Sequence, residues 1–174
     1  GVETWINAED SDITGYEFNF QQDFEFLPAP FDGMFIALNL TWTDGDSTFK
    51  FEDNQSFTTP FRKLSDKQEN FSIGYDKGKF DIRLAMNSRG EYLDWLADEE
   101  SDIDKVSLQN SRFVAPHEQW DLKASYEIND NFRLKFEITN IEDRPEYYYW
   151  GYNDRLSQYD EYGTSYAIGF TYNN

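Results

Sequence analysis

The chain contains no cysteine, a single histidine, few basic residues and no long apolar run. Without cysteine it can form neither a disulfide framework nor a thiolate metal site, and His117 alone does not make a zinc site. Lys and Arg total 15 against 34 Asp and Glu, and the formal charge of -19 disfavours nucleic acid as a partner. No apolar run approaches the roughly 20 residues of a membrane helix. The sequence therefore predicts no metal site, no cofactor and no helical membrane span.

Aromatic residues, by contrast, make up 19% of the chain, and many recur at every second position. On either side of residues 129–131, apolar side chains alternate with polar or charged ones. The apolar positions are Trp120, Leu122, Ala124, Tyr126 and Ile128 before the turn and Phe132, Leu134, Phe136 and Ile138 after it. Because successive side chains of a strand point to opposite faces, the segment predicts a hairpin with one apolar and one charged wall.

The charges of this hairpin predict its register. If residues 129–131 form the loop, residues equally distant from Asp130 face each other. Lys123 then faces Glu137, and Glu127 faces Arg133, so both pairs have opposite charges. A one-residue slip would move every charge onto the apolar wall. We predict these four residues as ion pairs that face the lumen of a barrel.

The same alternation predicts seven strands, separated by turns that alternate short and long. The strands cover approximately residues 14–26, 34–42, 71–75, 80–87, 120–128, 132–139 and 165–172. The short turns are residues 27–33, 77–78 and 129–131, and the long loops are about 43–69, 88–118 and 140–162. Outer-membrane barrels have short periplasmic turns and long extracellular loops. The pattern predicts an all-β, antiparallel, up-and-down transmembrane β-barrel segment.

Bacterial single-chain barrels have an even number of strands, eight or more. Seven strands therefore do not make a complete barrel. The absence of a signal peptide also predicts that N-terminal sequence is missing. A seven-stranded piece would leave two open sheet edges, which cannot exist in lipid. We expect residues 1–174 to be the C-terminal part of a larger barrel. We also expect that this part does not function by itself.

Several segments, in this order, resemble the C-terminal part of a TonB-dependent receptor. They are Gly15-Tyr16-Glu17-Phe18, Leu27-Pro28-Ala29-Pro30-Phe31-Asp32-Gly33, Arg83-Leu84-Ala85-Met86-Asn87-Ser88-Arg89, Phe136-Glu137-Ile138-Thr139-Asn140-Ile141-Glu142-Asp143-Arg144-Pro145 and Gln158-Tyr159-Asp160-Glu161-Tyr162-Gly163. The resemblance implies a 22-stranded barrel with a plugged lumen, here without its plug domain. It also implies a Gram-negative cell outer membrane and active uptake of a scarce small-molecule nutrient, such as a carbohydrate or a siderophore.

The resemblance implies partners as well. Lipid and lipopolysaccharide would surround the barrel, and the barrel-assembly machinery would insert it. The energy-coupling TonB complex would act through the missing N-terminal region. The resemblance implies no enzymatic activity, and the sequence has no phosphate-binding glycine loop, metalloprotease helix or nucleophile elbow.

The third long loop holds the candidate ligand-binding residues Tyr147, Tyr148, Tyr149, Trp150 and Tyr152. Tyr and Trp offer rigid contact area with a polar tip, which suits stacking on a sugar ring or another planar nutrient. The alternative is a structural role in an interfacial aromatic girdle and in loop packing. The acidic run 98–104 could hold calcium, but it lacks the spacing of an EF-hand loop, and a solvated loop is the favoured interpretation.

Two other kinds of protein have the same strand pattern. A soluble lipocalin-like barrel would turn its apolar wall inward around a ligand. A plain diffusion porin would differ by having no plug. Long loops at one end only, an odd strand count and large aromatics on nearly every apolar wall favour the receptor.

Overall fold

The structure is a computed structural model, and it describes residues 10–50, 56–97 and 107–173. The acidic run 98–104 lies outside these ranges. Within them the regular structure is β-strand apart from one short 3-10 helix, Phe31–Gly33. Among the described residues, no helix is long and apolar enough to cross a membrane.

The strands follow one another along the chain with short connections. They are β1 (Asp10–Asp23), β2 (Met34–Lys50), β3 (Ser56–Pro60), β4 (Lys67–Lys77), β5 (Phe80–Arg89), β6 (Tyr92–Ala97), β7 (Ser107–Val114), β8 (His117–Asn129), β9 (Phe132–Thr139), β10 (Glu146–Trp150), β11 (Leu156–Asp160) and β12 (Ser165–Tyr172). They form two sheets, a large one that contains the predicted strands and a small one that the loops contribute.

The large sheet confirms the up-and-down arrangement. Its seven consecutive neighbours are β1, β2, β4, β5, β8, β9 and β12, each antiparallel to the next, and β3 pairs with the far end of β2. All seven predicted strands are present. Each combines a two-residue alternation with β-branched or aromatic residues, which favour a pleated surface that is covered on one side.

The predicted register of the third hairpin is confirmed along most of its length. Lys123 pairs with Glu137, and Glu127 pairs with Arg133. The Lys123 Nζ atom lies 2.8 Å from Glu137 Oε1, and the Arg133 guanidinium donates to the Glu127 carboxylate. Next to the turn the register shifts, so that Asn129 lies opposite Phe132. The turn therefore contains two residues and not the three that we predicted.

We expect Lys123→Glu to destabilise the folded receptor by less than about 1 kcal/mol, because exposed ion pairs are screened by solvent. The change places two carboxylates opposite each other. Adding Glu137→Lys restores opposite charges, so the double variant should recover most of the loss. Urea unfolding in lipid vesicles measures both effects. A double variant that is less stable than Lys123→Glu would contradict the pairing.

The first strand begins and ends earlier than the sequence predicts. It ends at Asp23 and not at Phe26. The Leu27 N–H donates to the Phe24 C=O at 2.9 Å, so the chain is already turning before the Pro-rich segment. The alternation of phenylalanines continues past the last paired residue, and the pattern alone does not reveal where pairing stops.

The second short turn also lies one residue later than predicted. Lys77 pairs with Phe80, which leaves Gly78 and Lys79 as the two turn residues. Gly78 has a φ of 63°, which glycine adopts without steric cost. Beside this turn, the Lys77 ammonium donates to Asp32 in the neighbouring short turn and lowers the pKa of that carboxyl group. The ion pair joins two of the three short turns at the same end of the sheet.

The segments predicted as long loops contain strands, so that part of the prediction is wrong. The second strand continues to Lys50 and pairs with β3, and the other two segments contribute β6, β7, β10 and β11. These additions lack a sustained apolar wall, as the stretch Thr43-Asp44-Gly45-Asp46-Ser47 illustrates. Strands of the loop sheet are buried by their own packing, and Leu93, Val114 and Tyr149 do not follow the alternation of a barrel wall.

The small sheet has the order β11-β10-β7-β6 and joins the second long loop to the third. We call it the loop sheet. It provides the buried apolar core of the described residues, namely Leu93, Leu96, Ala97, Val114 and Tyr149. On the large sheet, by contrast, the apolar wall is open: Ile168 and Phe170 are 77% and 71% exposed. This is the arrangement expected where lipid covers the wall.

Candidate functional site

A cavity of about 550 Å³ lies where the loop sheet meets the polar wall of the large sheet. We call it the mouth cavity. Its lining residues are Lys63, Ser65, Gln68, Asn70, Asn87, Ser88, Arg89, Tyr92, Asp94, His117 and Gln119. The wall contributes mostly amides and hydroxyls, and β6 contributes an aromatic ring and a carboxylate. Concave surfaces with converging polar groups are candidate ligand sites, and this one is lined mostly by polar side chains.

The chain bends at Gly90 to place β6 beside this cavity. A Cβ atom at Gly90 would lie only 1.9 Å from Asp66 Oδ1, so a larger residue does not fit without movement. The Gly90 N–H donates to the Lys67 C=O at 2.8 Å. The bend therefore packs closely against the chain that leads into β4.

Arg89 ties the two sheets together at the bend. Its Nη1 atom donates to the Ala115 C=O at 3.0 Å, and its Nη2 atom lies 3.4 Å from Glu146 Oε1. Its guanidinium carbon lies 5.1 Å from the centre of the Tyr92 ring, within cation–π range. One side chain thus joins β5, the connection before β8, and β10.

Arg112 plays a similar part within the loop sheet. Its Nε atom donates to Asp94 Oδ2 at 2.7 Å, and its guanidinium carbon lies 5.4 Å from the centre of the Tyr148 ring. The Tyr148 hydroxyl donates to Glu146 Oε2 at 3.0 Å. The two arginines, their carboxylates and two tyrosines make one continuous network that reaches the mouth cavity through Arg89, Tyr92 and Asp94.

Burial raises the pKa of Tyr148 to about 12, and the hydrogen bond to Glu146 contributes to the rise. A raised phenol pKa means that the fold favours the neutral form. The associated stability is fully present below the unfolded pKa near 10 and is lost as pH approaches 12.

We therefore expect Tyr148 to ionise near pH 12 in the full-length receptor. Absorbance titration of the phenolate should contain a late step that Tyr148→Phe removes. The change to phenylalanine should also weaken the loss of stability between about pH 10 and 12. An unchanged titration curve in the variant would contradict the assignment.

The structure divides the predicted aromatic residues between the two faces of β10. Tyr148 and Trp150 share the face that carries Arg112, and Tyr147 and Tyr149 lie on the other. Tyr149 is 5% exposed, stacks on Phe113 at 5.6 Å and donates to Glu91. Burial also raises the pKa of Tyr149.

The remaining aromatics have different surroundings. The Tyr147 hydroxyl donates to the Asn153 C=O at 2.6 Å, and Trp150 packs edge-on against Trp95 at 5.8 Å. Tyr152 is 54% exposed. The five side chains do not form one platform, and their contact with a ligand stays a prediction.

The four predicted ion-pair residues all belong to the polar wall. Lys123, Arg133 and Glu137 line a second depression of about 440 Å³, and Glu127 contacts Arg133 beside it. Both depressions described here lie on the side of the sheet that carries the charges. That placement fits a lumen, although the direction of the wall stays a prediction.

Asn140, which sequence reasoning did not select, anchors the third loop to this wall. Its N–H donates to Asp121 Oδ1 at 2.9 Å, and its Oδ1 atom accepts from the Arg144 N–H at 2.9 Å. Its Nδ2 atom donates to the Arg144 C=O at 3.1 Å, and its C=O accepts from the Thr164 hydroxyl at 2.8 Å. Asn140 also has a φ of 57° and is only 5% exposed, so the surrounding chain holds it tightly.

His117 has a structural contact as well. Its Nδ1 atom lies 3.3 Å from the Pro145 C=O, so the ring holds the start of β8 against the third loop. In the part of the chain that the structure describes, no three His, Asp or Glu side chains are grouped to hold a metal ion.

A sheet with one polar and one apolar wall, tight turns at one end and a loop sheet over a polar cavity at the other is a segment of an outer-membrane β-barrel. The family model described as TonB dependent receptor-like, beta-barrel matches residues 1–141. The chain belongs to this family, as the sequence resemblance predicts. It is a family of outer-membrane transport receptors and not of enzymes.

One solved structure with a similar fold is that of the siderophore receptor PiuA from Acinetobacter baumannii. The sequences are 14% identical, the TM-score is 0.61, and the match covers 93% of this chain and 22% of that one. At this identity the likeness shows the fold alone. No curated protein matches the chain. Family membership favours the receptor over the soluble barrel and the porin.

Proposed function

We propose that this chain forms part of the wall and outer mouth of a receptor that takes up a scarce small-molecule nutrient. The mouth cavity carries the proposal, because its lining combines side chains of the loop sheet with side chains of the polar wall. The nutrient class is a carbohydrate or a siderophore. The similar solved structure is named as a siderophore receptor, and that name applies to that protein and not to this chain.

The chemistry of the cavity suggests how capture would work. Lys63, Arg89 and Asp94 offer charges, and the amides of the wall offer neutral donors and acceptors. The Arg112–Asp94 and Arg89–Glu146 pairs hold the loop sheet in place before a ligand arrives, and such preorganisation lowers the entropic cost of binding. Tyr148, Trp150 and Tyr152 would add aromatic contacts from the third loop.

The rest of the receptor supplies what this chain does not. We assign residues 1–174 to the C-terminal part of the barrel, with the plug domain and the TonB contact on other segments. Lipid and lipopolysaccharide would cover the apolar wall, and the barrel-assembly machinery would insert the whole chain. Displacement of the plug would then let the ligand pass along the polar wall.

Uptake by the full-length receptor tests this function. Cells that depend on the receptor would be supplied with limiting neutral oligosaccharides or ferric siderophores, with and without a working TonB complex. We expect uptake of one class, and its loss without TonB. Uptake that persists without TonB would identify a diffusion channel and overturn the proposal.

A variant in the mouth cavity makes the test local. We expect Asp94→Ala to weaken ligand affinity about tenfold, because it frees Arg112 and loosens the face of the loop sheet. Glu142→Ala is the matched control, since it also removes the carboxylate partner of an arginine, Arg144, but does not line the cavity. Equal affinities in the two variants would remove the cavity from the binding site.

A further inference from the structure

Five carboxamide side chains form a row across the polar wall, one on each of five neighbouring strands. They are Asn19 on β1, Asn39 on β2, Asn70 on β4, Asn87 on β5 and Gln119 on β8. The registers place each directly opposite the next. With strands about 4.8 Å apart, the row spans about 19 Å. We call it the amide row.

The first three amides of the row bond to each other, whereas Gln119 donates to Asp121 Oδ1 at 2.9 Å, and the row leaves hydrogen-bonding capacity unused. The Asn39 Nδ2 atom donates to Asn19 Oδ1 at 2.5 Å and to Glu17 Oε1 at 2.9 Å. Asn70 donates to Asn39 Oδ1 at 3.3 Å. Each carboxamide has two N–H donors and an oxygen with two lone pairs. Within the described residues Asn87 makes no side-chain hydrogen bond, so it is available to a ligand.

The amide row separates two hollows. On one side lies the mouth cavity, and on the other lies a depression of about 350 Å³ over Ala37, Ser72 and Ala85, whose small side chains leave room. Asn70 and Asn87 line both hollows. A molecule that moves from the mouth into the lumen along this wall therefore contacts these two amides.

The row is neutral, whereas the wall on either side of it carries charge. Arg89 lies one row nearer the mouth, and Arg83 and Lys123 lie two rows nearer the short turns. Anionic groups bind best to arginine and lysine. Closely spaced neutral donors and acceptors instead match hydroxyl groups, which both donate and accept.

We propose that the amide row is a contact track for a neutral, hydroxyl-rich ligand, which is the chemistry of a carbohydrate. The inference rests on the proposed function, because it requires a ligand that passes through this lumen. Beyond that function, the inference names the residues that select the ligand and the chemical class of ligand that they select. A ligand that displaces water from these amides without replacing its hydrogen bonds loses affinity, so the row disfavours an analogue without hydroxyls.

The test uses the full-length receptor, purified in detergent, and its binding to an array of neutral oligosaccharides and to a panel of ferric siderophores. The double variant Asn70→Leu with Asn87→Leu keeps side-chain size and removes the hydrogen bonds. We expect oligosaccharide binding that the double variant weakens at least about tenfold. Asn70→Gln with Asn87→Gln retains the amides and should keep measurable binding.

A control on the same wall excludes a general effect of added apolar surface. Ser125→Leu lies on β8 opposite Asp81, away from the amide row, and should leave oligosaccharide affinity unchanged. Urea unfolding of each variant separates a binding defect from a folding defect or a loosened plug. Equal stability with reduced affinity only in the leucine double variant would support the proposal.

Other outcomes overturn it. Binding of siderophores without oligosaccharides would disprove the amide row as a carbohydrate track but leave the import function intact. Oligosaccharide binding that the double variant does not reduce would remove the row from the binding path. A double variant with lowered stability and unchanged affinity would assign the row to the plug contact. Failure of TonB-dependent uptake altogether would instead refute the proposed function.

Discussion

Replacing Asn140 by alanine is expected to destabilise the folded receptor by about 3 kcal/mol and to release the third loop from the barrel wall. The side chain makes hydrogen bonds with the Arg144 N–H and C=O and with the Gly163 C=O. Alanine makes none of them, and it leaves the part-buried backbone groups of Arg144 and Gly163 without these partners. It also tolerates the left-handed conformation at this position less well than asparagine does.

Urea unfolding of the full-length receptor in lipid vesicles measures the loss, and limited proteolysis within residues 140–164 reports the release of the loop. Asp143→Ala is the matched control. Asp143 has a φ of 54°, close to that of Asn140, but its side chain is exposed. Its replacement should cost only the backbone term. If both variants lost the same free energy, the hydrogen bonds of Asn140 would not be the cause.

The second large effect is expected from a charge on the apolar wall. Leu84→Arg should destabilise the receptor by about 2–4 kcal/mol, because arginine in the middle of a lipid-facing wall loses its hydration. Leu84 lies between Ile73 and Leu122 on the neighbouring strands. Unfolding in vesicles gives the free energy, and the yield of inserted barrel gives an independent reading.

The next residue of the same strand is the control. Ala85 points to the polar wall and lies opposite Asp121, so Ala85→Arg gains a partner of opposite charge and should change stability by less than about 1 kcal/mol. The difference between these adjacent positions tests which wall meets lipid. A larger loss from Ala85→Arg than from Leu84→Arg would reverse the orientation and favour an inward-facing apolar wall.

Period-two alternation was sufficient to predict the seven consecutive strands of the large sheet, but not β3. The charges of Lys123 and Glu137 determined a register, because only one alignment keeps apolar and charged residues on separate walls. The same reasoning failed for β6, β7, β10 and β11. Those strands lie where water wets both faces, or where a second sheet buries a side chain such as Tyr149, so their pattern differs from that of a barrel wall.

The site was harder to predict than the fold. The tyrosine cluster is visible in the sequence as consecutive aromatic residues. Which of their rings are buried depends on the pairing of β10 with β7. Arg89 and Arg112 become notable only once the loop sheet lies against the polar wall. The amide row has a signal in the sequence, since its members lie on polar positions, but it emerges only after five strands are aligned.

The pleat also limits how such a surface can change over time. Because side chains repeat every two residues, a strand that slid past its neighbour by two positions would keep the same residue types toward lipid. The row of Asn and Gln would nevertheless be broken at that strand. Insertion or deletion of two residues in a strand could therefore change ligand preference and preserve membrane insertion. Insertion or deletion of one residue would disrupt both the ligand contacts and membrane insertion.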